Sequence, residues 1–296
     1  QGGTCGLIVH GIYAYRAYTW GSTAAVEVID ISDPSAPAKI GEIGTLGCAA
    51  DMVINEGLLY LATGTSGLQI VDISTPSGPA RIGALATTGQ ARGIALAGTF
   101  AYLAYYTQGL KIIDVSDPAN PADLVDWDFR RDADPADRDA AIDGADPRDL
   151  YASDVTLDPD RGRAFVSLWD AGVVILDIST VEEPRALGWT GSLGHSEGKS
   201  GSTLFSSEVQ TLVVNHEDLD PLDDGEDQSS QSWGVQTVFD VGTQDRPVFV
   251  TKYAVEDARP DSEGLVSLAG IYSVGDSLAE GRYAYSAWLT GGLRVV

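Results

Sequence analysis

Lysine is scarce in this 296-residue chain: four lysines stand beside fourteen arginines. There are two cysteines, one methionine and three histidines. Long apolar runs are missing too. Ala171–Leu176 is among the longest, far short of the ~20 residues a membrane-spanning helix needs, so a transmembrane helix is excluded on that ground and no membrane insertion is expected. Eighteen basic residues face 43 acidic ones, for a net charge of −25. Nucleic acids and anionic membrane surfaces bind cationic proteins, so neither is a partner for this chain. The same charge leaves room for cations or a basic protein. The two cysteines form no C-x-x-C, which removes a zinc or thioredoxin motif. His10, His195 and His216 stand too far apart for a spaced metal motif. No apolar period of 3.6 residues is sustained, so no amphipathic helix is expected.

What the chain does have is turn formers: 34 glycines, 13 prolines and 31 aspartates. Asp favours turns over helix interiors, so the composition points to β structure. A repeat gives it order. GLQIVDISTPSGPARIG (67–83), GLKIIDVSDPANPADLV (109–125) and GVVILDISTVEEPRALG (172–188) are copies of one pattern. VEVIDISDPSAPAKIG (26–41) is a fourth and GVQTVFDVGTQDRPVFV (234–250) a weaker fifth. The chain ends on GGLRVV, within a sixth. Before each copy comes a second apolar run, such as EGLLYLATG at 56–64, and before that a third, as at 51–54. Each unit therefore reads as four short strands, a to d, joined by tight turns.

Four-stranded units about 42 residues apart predict the blades of a β-propeller, with an all-β fold. A blade cannot cover its own two faces, so strand c should be apolar on both, as IVDI and IIDV are. The expectation is one propeller domain over 1–296. Its six visible blades fall near 6–45, 48–87, 91–128, 152–190, 202–252 and 269–296, with a seventh if the chain continues past Val296. A β-sandwich or a parallel β-helix is the fallback.

The cores LQIVDIS, LKIIDVS and VVILDIS, each followed by D-[IV]-S-x-x-x-x-P or a close variant, resemble the LVIVD-repeat family of bacterial and archaeal surface proteins. That resemblance implies a secreted or surface-attached β-propeller and no particular activity. The fifth copy, Phe239-Asp240-Val241-Gly242, departs from the pattern. The recurring Asp30, Asp72, Asp114, Asp177 and Asp240 read as structural, accepting N–H groups of the following turn, because a catalytic residue need occur only once. A start at Gln1 fits a chain that has lost an export signal. Together with the Asp-rich, Lys-poor composition it leads to an extracellular, periplasmic or cell-surface expectation.

In a propeller the d–a and b–c connections share one face, the top. The insertions at 126–150, 190–201, 216–232 and 253–268 all map there, which makes it the expected working face. Three of them carry −15 of the net charge. Trp20, Tyr105, Tyr106, Trp169 and Trp288 fall at the b–c end of that face. They are either caps on the core or a platform for a protein or glycan partner. Calcium is the expected cofactor if there is one, held by Asp218, Asp220, Asp223, Asp224 and Asp227 around Gly225, with Glu226 beside them. Their alternative is a solvated acidic loop, and Asp132–Asp146 is a weaker second candidate. Asp51, Arg92 and Asp154, near the starts of strand a, are expected to ring the channel mouth. There they form either inter-blade ion pairs or a site for a polar ligand or metal. Gly194-His195-Ser196-Glu197-Gly198 fits G-x-S-x-G but lacks the strand–turn–helix context of a nucleophile elbow. Cys5 and Cys48, just before strand a of neighbouring blades, are expected to pair, which suits an oxidising compartment. The functional expectation is a non-catalytic binding or scaffold module. The alternatives are a lactonase-like hydrolase with its site at the channel mouth, and a subunit of a larger extracellular assembly.

Overall fold

The computed structural model describes residues 2–107, 109–144, 150–169, 171–191, 200–216, 235–242, 246–253, 274–280, 283–288 and 292–295. The chain divides into two compact units, Gln1–Trp127 and Asp128–Val296.

The first unit holds three antiparallel sheets of four strands in sequence order. They are β1 (Gly2–His10), β2 (Tyr13–Trp20), β3 (Thr23–Asp30) and β4 (Ala38–Thr45); β5 (Asp51–Asn55), β6 (Leu58–Ala62), β7 (Leu68–Asp72) and β8 (Ala80–Leu85); and β9 (Gly93–Ala97), β10 (Phe100–Ala104), β11 (Leu110–Asp114) and β12 (Ala122–Trp127). The second unit holds two more: β13 (Ala152–Asp158), β14 (Arg163–Leu168), β15 (Gly172–Asp177) and β16 (Arg185–Trp189), then β17 (Ser200–Ser206), β18 (Thr211–His216), β19 (Val235–Asp240) and β20 (Val248–Tyr253). A sheet of three strands follows: β21 (Val274–Glu280), β22 (Tyr283–Trp288) and β23 (Gly292–Val295).

The core lies between sheets. Val26 and Val28 of β3 pack with Leu59, Leu61, Val71 and Ile73 of the next sheet. Leu68 and Ile70 of β7 meet Ala101, Leu103, Ile113 and Val115 of the one after. In the second unit Phe165, Val173 and Ile175 pack against Leu212, Val214, Phe239 and Val241. Alternate residues of the third strand thus serve opposite neighbours, which is why the sequence there is apolar throughout.

Two features hold the outer strand. Each of the five third-to-fourth strand pairs carries a β-bulge at the same place, leaving Ile40, Ile82, Leu124, Leu187 or Val250 as the extra residue. A bulge adds twist and blunts the exposed edge of a sheet. Beside it, a Cβ on Gly41 would collide with the carbonyl oxygen of Pro76, and one on Gly83 with that of Pro118. Gly41 and Gly83 therefore each receive a proline turn of the following sheet.

Residues 126–150 contain the short helix α1 (Phe129–Asp132) and a second, α2 (Pro135–Gly144). The α2 helix has no apolar stripe, so a search for amphipathicity passes over it. It starts on local chemistry: Asp134 Oδ1 accepts the Ala136 N–H at 2.8 Å, and Pro135 stands at the first helical position.

Replacing Gly83 with Ala is expected to destabilise the chain by about 1–3 kcal/mol, because the clash is with backbone rather than a movable side chain. Ala at Gly44, where a Cβ meets nothing within 4 Å, is expected to be close to neutral. Urea midpoints of the two variants check this.

Candidate functional site

The repeat aspartate closes a local turn. Ser32, Ser74 and Ser116 donate their backbone N–H to Asp30, Asp72 and Asp114 at 2.8 Å. Ser179 and Gly242 do the same to Asp177 and Asp240 at 2.9 and 2.7 Å. Serine hydrogen bonds from side chain and backbone hold the carboxyls of Asp30, Asp72 and Asp177 below the ordinary carboxylate value of 3.8, and the Ser116 backbone and hydroxyl do so for Asp114. These residues are structural in all five copies.

The residues expected at the channel mouth are placed by register. The fifth residue of each second strand pairs with Gly6, Asp51, Gly93, Asp154, Ser202 and Asp276 in turn. Asp51 and Asp154 therefore share one position. Arg92 does not belong to it, since Gly93 takes the place in its sheet. Asp276 does belong, and counting the repeat from the second strand would have found it. Asp51 Oδ1 accepts the N–H of Met52 at 2.7 Å, and its Oδ2 accepts that of Ile94 in the next sheet at 2.8 Å. Asp154 repeats this with Val155 and Thr203, both at 2.8 Å. These two carboxylates thus hold neighbouring sheets together through backbone N–H groups. The guanidinium of Arg92 instead lies 4.9 Å from the ring centre of Tyr106. Tyr106 has φ 38°, where Gly64 of the preceding sheet has φ 58°.

The aromatic set divides. Trp20 is 72% exposed. Tyr105 is fully buried, and its hydroxyl accepts the Gly89 N–H, so Tyr105 is a core cap. Trp169 stacks on Tyr151 with ring centres 5.3 Å apart. Trp288 ends β22, and its side chain lies outside the described residues. His10 is exposed at the end of β1.

The principal calcium candidate, Asp218, Asp220, Asp223, Asp224 and Asp227, lies outside the described residues, as does the 194–198 segment. Among the described residues no three His, Cys, Asp or Glu side chains are grouped to hold a metal. In the second candidate Asp132, Asp137 and Asp139 face Arg131, Arg246 and Arg138 at 2.6, 3.7 and 3.1 Å. Cys5 and Cys48 form a disulfide, Cα–Cα 6.2 Å, across a separation of 43 residues. Closing such a loop is worth about 4 kcal/mol in the chain-entropy view.

Sequence reasoning passed over a set of buried polar residues three positions before the repeat aspartate. Glu27 faces Arg16 at 2.7 Å and Lys39 at 3.8 Å. Gln69 accepts from Arg81 at 3.4 Å. Lys111 meets Asp123 and Asp126, each at 2.7 Å, and lies over the Tyr105 ring. Burial works against the Lys111 charge, but the two aspartates outweigh it and its pKa is raised. The partner stands nine residues after the repeat aspartate in each case, and the charges are reversed between the first sheet and the third. Aligning the repeats by column would have shown the pair. A second omission is Arg163, which binds buried Asp158 at 2.7 Å and donates to the Val241 carbonyl of the next sheet at 2.6 Å.

Sheets of four antiparallel strands, packed face to face in series, define a β-propeller. Solved structures agree on the fold at low sequence identity. The computationally designed Ika8 protein matches at 11% identity over 99% of this chain and 70% of that one, with a TM-score of 0.60. A chain of the Mitotic Checkpoint Complex matches at 11% over 96% and 71%, TM-score 0.66. The β-propeller domain of Myceliophteria thermophila Cps50 (Swd1) matches at 10% over 97% and 80%, TM-score 0.61. The LVIVD repeat matches residues 1–45, 46–87, 88–125 and 161–185. The chain belongs to the LVIVD-repeat family. No curated protein matches it in sequence.

Asp51→Ala leaves two backbone N–H groups without their acceptor, and a loss of about 2–4 kcal/mol is expected. Asp51→Asn, which keeps an acceptor oxygen, is expected to lose less, and denaturant unfolding of the pair checks it. The repeat aspartates carry a pH signature. A carboxyl whose folded pKa is lowered stabilises fully above its unfolded value and stops doing so as pH falls through the folded one. Asp72→Asn is expected to melt below the native chain at pH 7 and to converge with it below the ordinary value of 3.8. Melting temperatures measured from pH 7 down to acid check the convergence.

Proposed function

We propose that this LVIVD-repeat propeller is a non-catalytic binding or scaffold module. In this reading it works at the d–a and b–c ends of its blades, outside the cytoplasm, on a basic protein or a glycan. The observation that carries the reading is the use of Asp51 and Asp154. A hydrolytic site at the channel mouth would draw on these carboxylates, and both oxygens of each already accept backbone N–H groups. A carboxylate so engaged is a poor general base, because protonating it costs two charge-assisted hydrogen bonds. The charge supports the choice of partner: insertions at these ends carry much of the net −25, and an acidic face attracts cationic groups. Trp20, 72% exposed on the b–c turn of the first blade, adds a flat apolar surface for a ring or an aliphatic stem. Calcium bound by Asp218, Asp220, Asp223, Asp224 and Asp227 would organise the 216–232 loop, since hard cations take clustered carboxylate oxygens.

The test pairs stability with turnover. Melting is followed in Ca²⁺, Mg²⁺ and EDTA at matched ionic strength, and lactone and ester substrates are assayed under the same conditions. The expected result is a rise in melting temperature specific to Ca²⁺ and no turnover. Equal melting in all three solutions removes calcium from the proposal. Lactone hydrolysis that Asp51→Asn abolishes in a folded chain overturns the non-catalytic reading.

A further inference from the structure

The strands of the first sheet outrun those of the two that follow. Its second strand keeps pairing past Ala17. Tyr18, Thr19 and Trp20 pair with Thr4, Gly3 and Gly2 of β1 on one side, and with Ala25, Ala24 and Thr23 of β3 on the other. Ala24 and Ala25 pair onward with Thr45 and Gly44 of β4. In the next two sheets the pairing stops at Ala62 and Ala104, which stand where Ala17 does. The first sheet therefore ends in an added tip, made of residues 2–4, 18–25 and 44–47. Those residues include no Asp, Glu, Lys or Arg, in a chain whose net charge is −25.

Strand alternation puts Tyr18 and Trp20 on one face of the tip, their Cα atoms about 7 Å apart. Thr4 and Thr23 are their cross-strand neighbours on that face. A Cβ on Gly2 would meet the Trp20 ring at 2.6 Å. The indole thus lies against a backbone that has no side chain there, and it is 72% exposed. Tyr18 is fixed too: its hydroxyl donates to Glu42 Oε2 at 2.8 Å, and the Arg16 guanidinium lies 5.3 Å from its ring centre. Beside the two rings the sheet is low. Ala25 is buried, and a Cβ on Gly44 would meet nothing within 4 Å. Below the tip the charges are matched: Arg16 pairs with Glu27 at 2.7 Å, and Lys39 with Glu27 and Glu42.

A fixed, exposed indole suits the C–H face of a sugar ring, and bordering hydroxyls match sugar hydroxyls as both donors and acceptors. Charge selects among ligands. A glycan bearing carboxylates is opposed by the −25 of the chain. A basic segment finds no carboxylate on the tip, and those below it already face Arg16 and Lys39. We propose that the tip of the first sheet, centred on Trp20 and Tyr18, binds a neutral glycan through its pyranose rings. This rests on the reading of the protein as a binding module, and chooses the neutral glycan over the basic protein at this place.

The test is affinity electrophoresis of the full chain in native gels containing mannan, galactomannan or β-glucan, and in a gel containing polygalacturonate. Labelled poly-lysine is titrated separately by fluorescence anisotropy. The native chain is expected to be retarded by at least one neutral polysaccharide and not by polygalacturonate. Trp20→Ala, which leaves the net charge unchanged, is expected to weaken that binding about tenfold or more, and Trp20→Phe to keep part of it. Gly2→Val displaces the indole without removing it and is expected to weaken binding as well, with circular dichroism as the check on folding of each variant. Free mobility of the native chain in all three neutral gels overturns the proposal. So does equal retardation of the native chain and Trp20→Ala, or retardation by polygalacturonate as strong as by a neutral polysaccharide. Poly-lysine binding without any neutral retardation overturns this inference and leaves the binding-module reading in place. Failure of that reading shows separately, in the lactone assay.

Discussion

A twisted four-stranded sheet has two broad faces, and a chain of this composition makes both of them apolar at the third strand. Neither face can be left in water, so every sheet needs a neighbour on each side. Val26 and Val28 look one way along the series, and Val71 and Ile73 look back to meet them. Burial of this kind is non-directional and would tolerate sheets sliding over one another. The other contacts follow from that freedom, because each fixes the spacing or registration of a pair of sheets. The Pro76 turn seats against Gly41 and the Pro118 turn against Gly83. Asp51 and Asp154 cross from one sheet to the next and accept a backbone N–H at a set height.

Two kinds of aspartate result, and they differ in frequency for a physical reason. The turn after the third strand is present in each of the five four-stranded blades and needs its N–H groups satisfied locally, so its aspartate recurs five times. The position of Asp51 faces a neighbour that only some blades engage by side chain. Aspartate alternates there with glycine or serine: Gly6, Asp51, Gly93, Asp154, Ser202, Asp276. Buried charge is handled in the same economical way. Lys111 is surrounded by two aspartates and an aromatic face, and Arg163 by Asp158 and two acceptors from the next sheet. A charge lacking such partners could not stay inside.

The repeat, the four-strand unit and the turn role of Asp30, Asp72, Asp114, Asp177 and Asp240 were legible in the sequence, because each depends on neighbours a few residues away. The α2 helix was not. Its residues carry no apolar stripe, and the signal was the Asp134-Pro135 start rather than any period. Arg92 was placed with Asp51 and Asp154 because it precedes a first strand, but a shift of one residue in a strand turns the side chain to the other side. Gly93 holds the position instead. The polar pairs Glu27–Lys39 and Lys111–Asp123 were visible as a charge reversal between repeats. They were missed because apolar spacing was read within units and not down the columns.

By itself the sequence determined the unit: four short strands, an Asx-type turn after the third, and a bulk charge that turns away polyanions. These are local or additive properties, and period and composition suffice to state them. Tertiary structure decided that Asp51 and Asp154 hold neighbouring sheets together. It also decided that Tyr105 is a core residue while Trp20 is a surface one. Those outcomes depend on what the adjacent blade places opposite each residue, and a blade's neighbour lies some forty residues away along the chain.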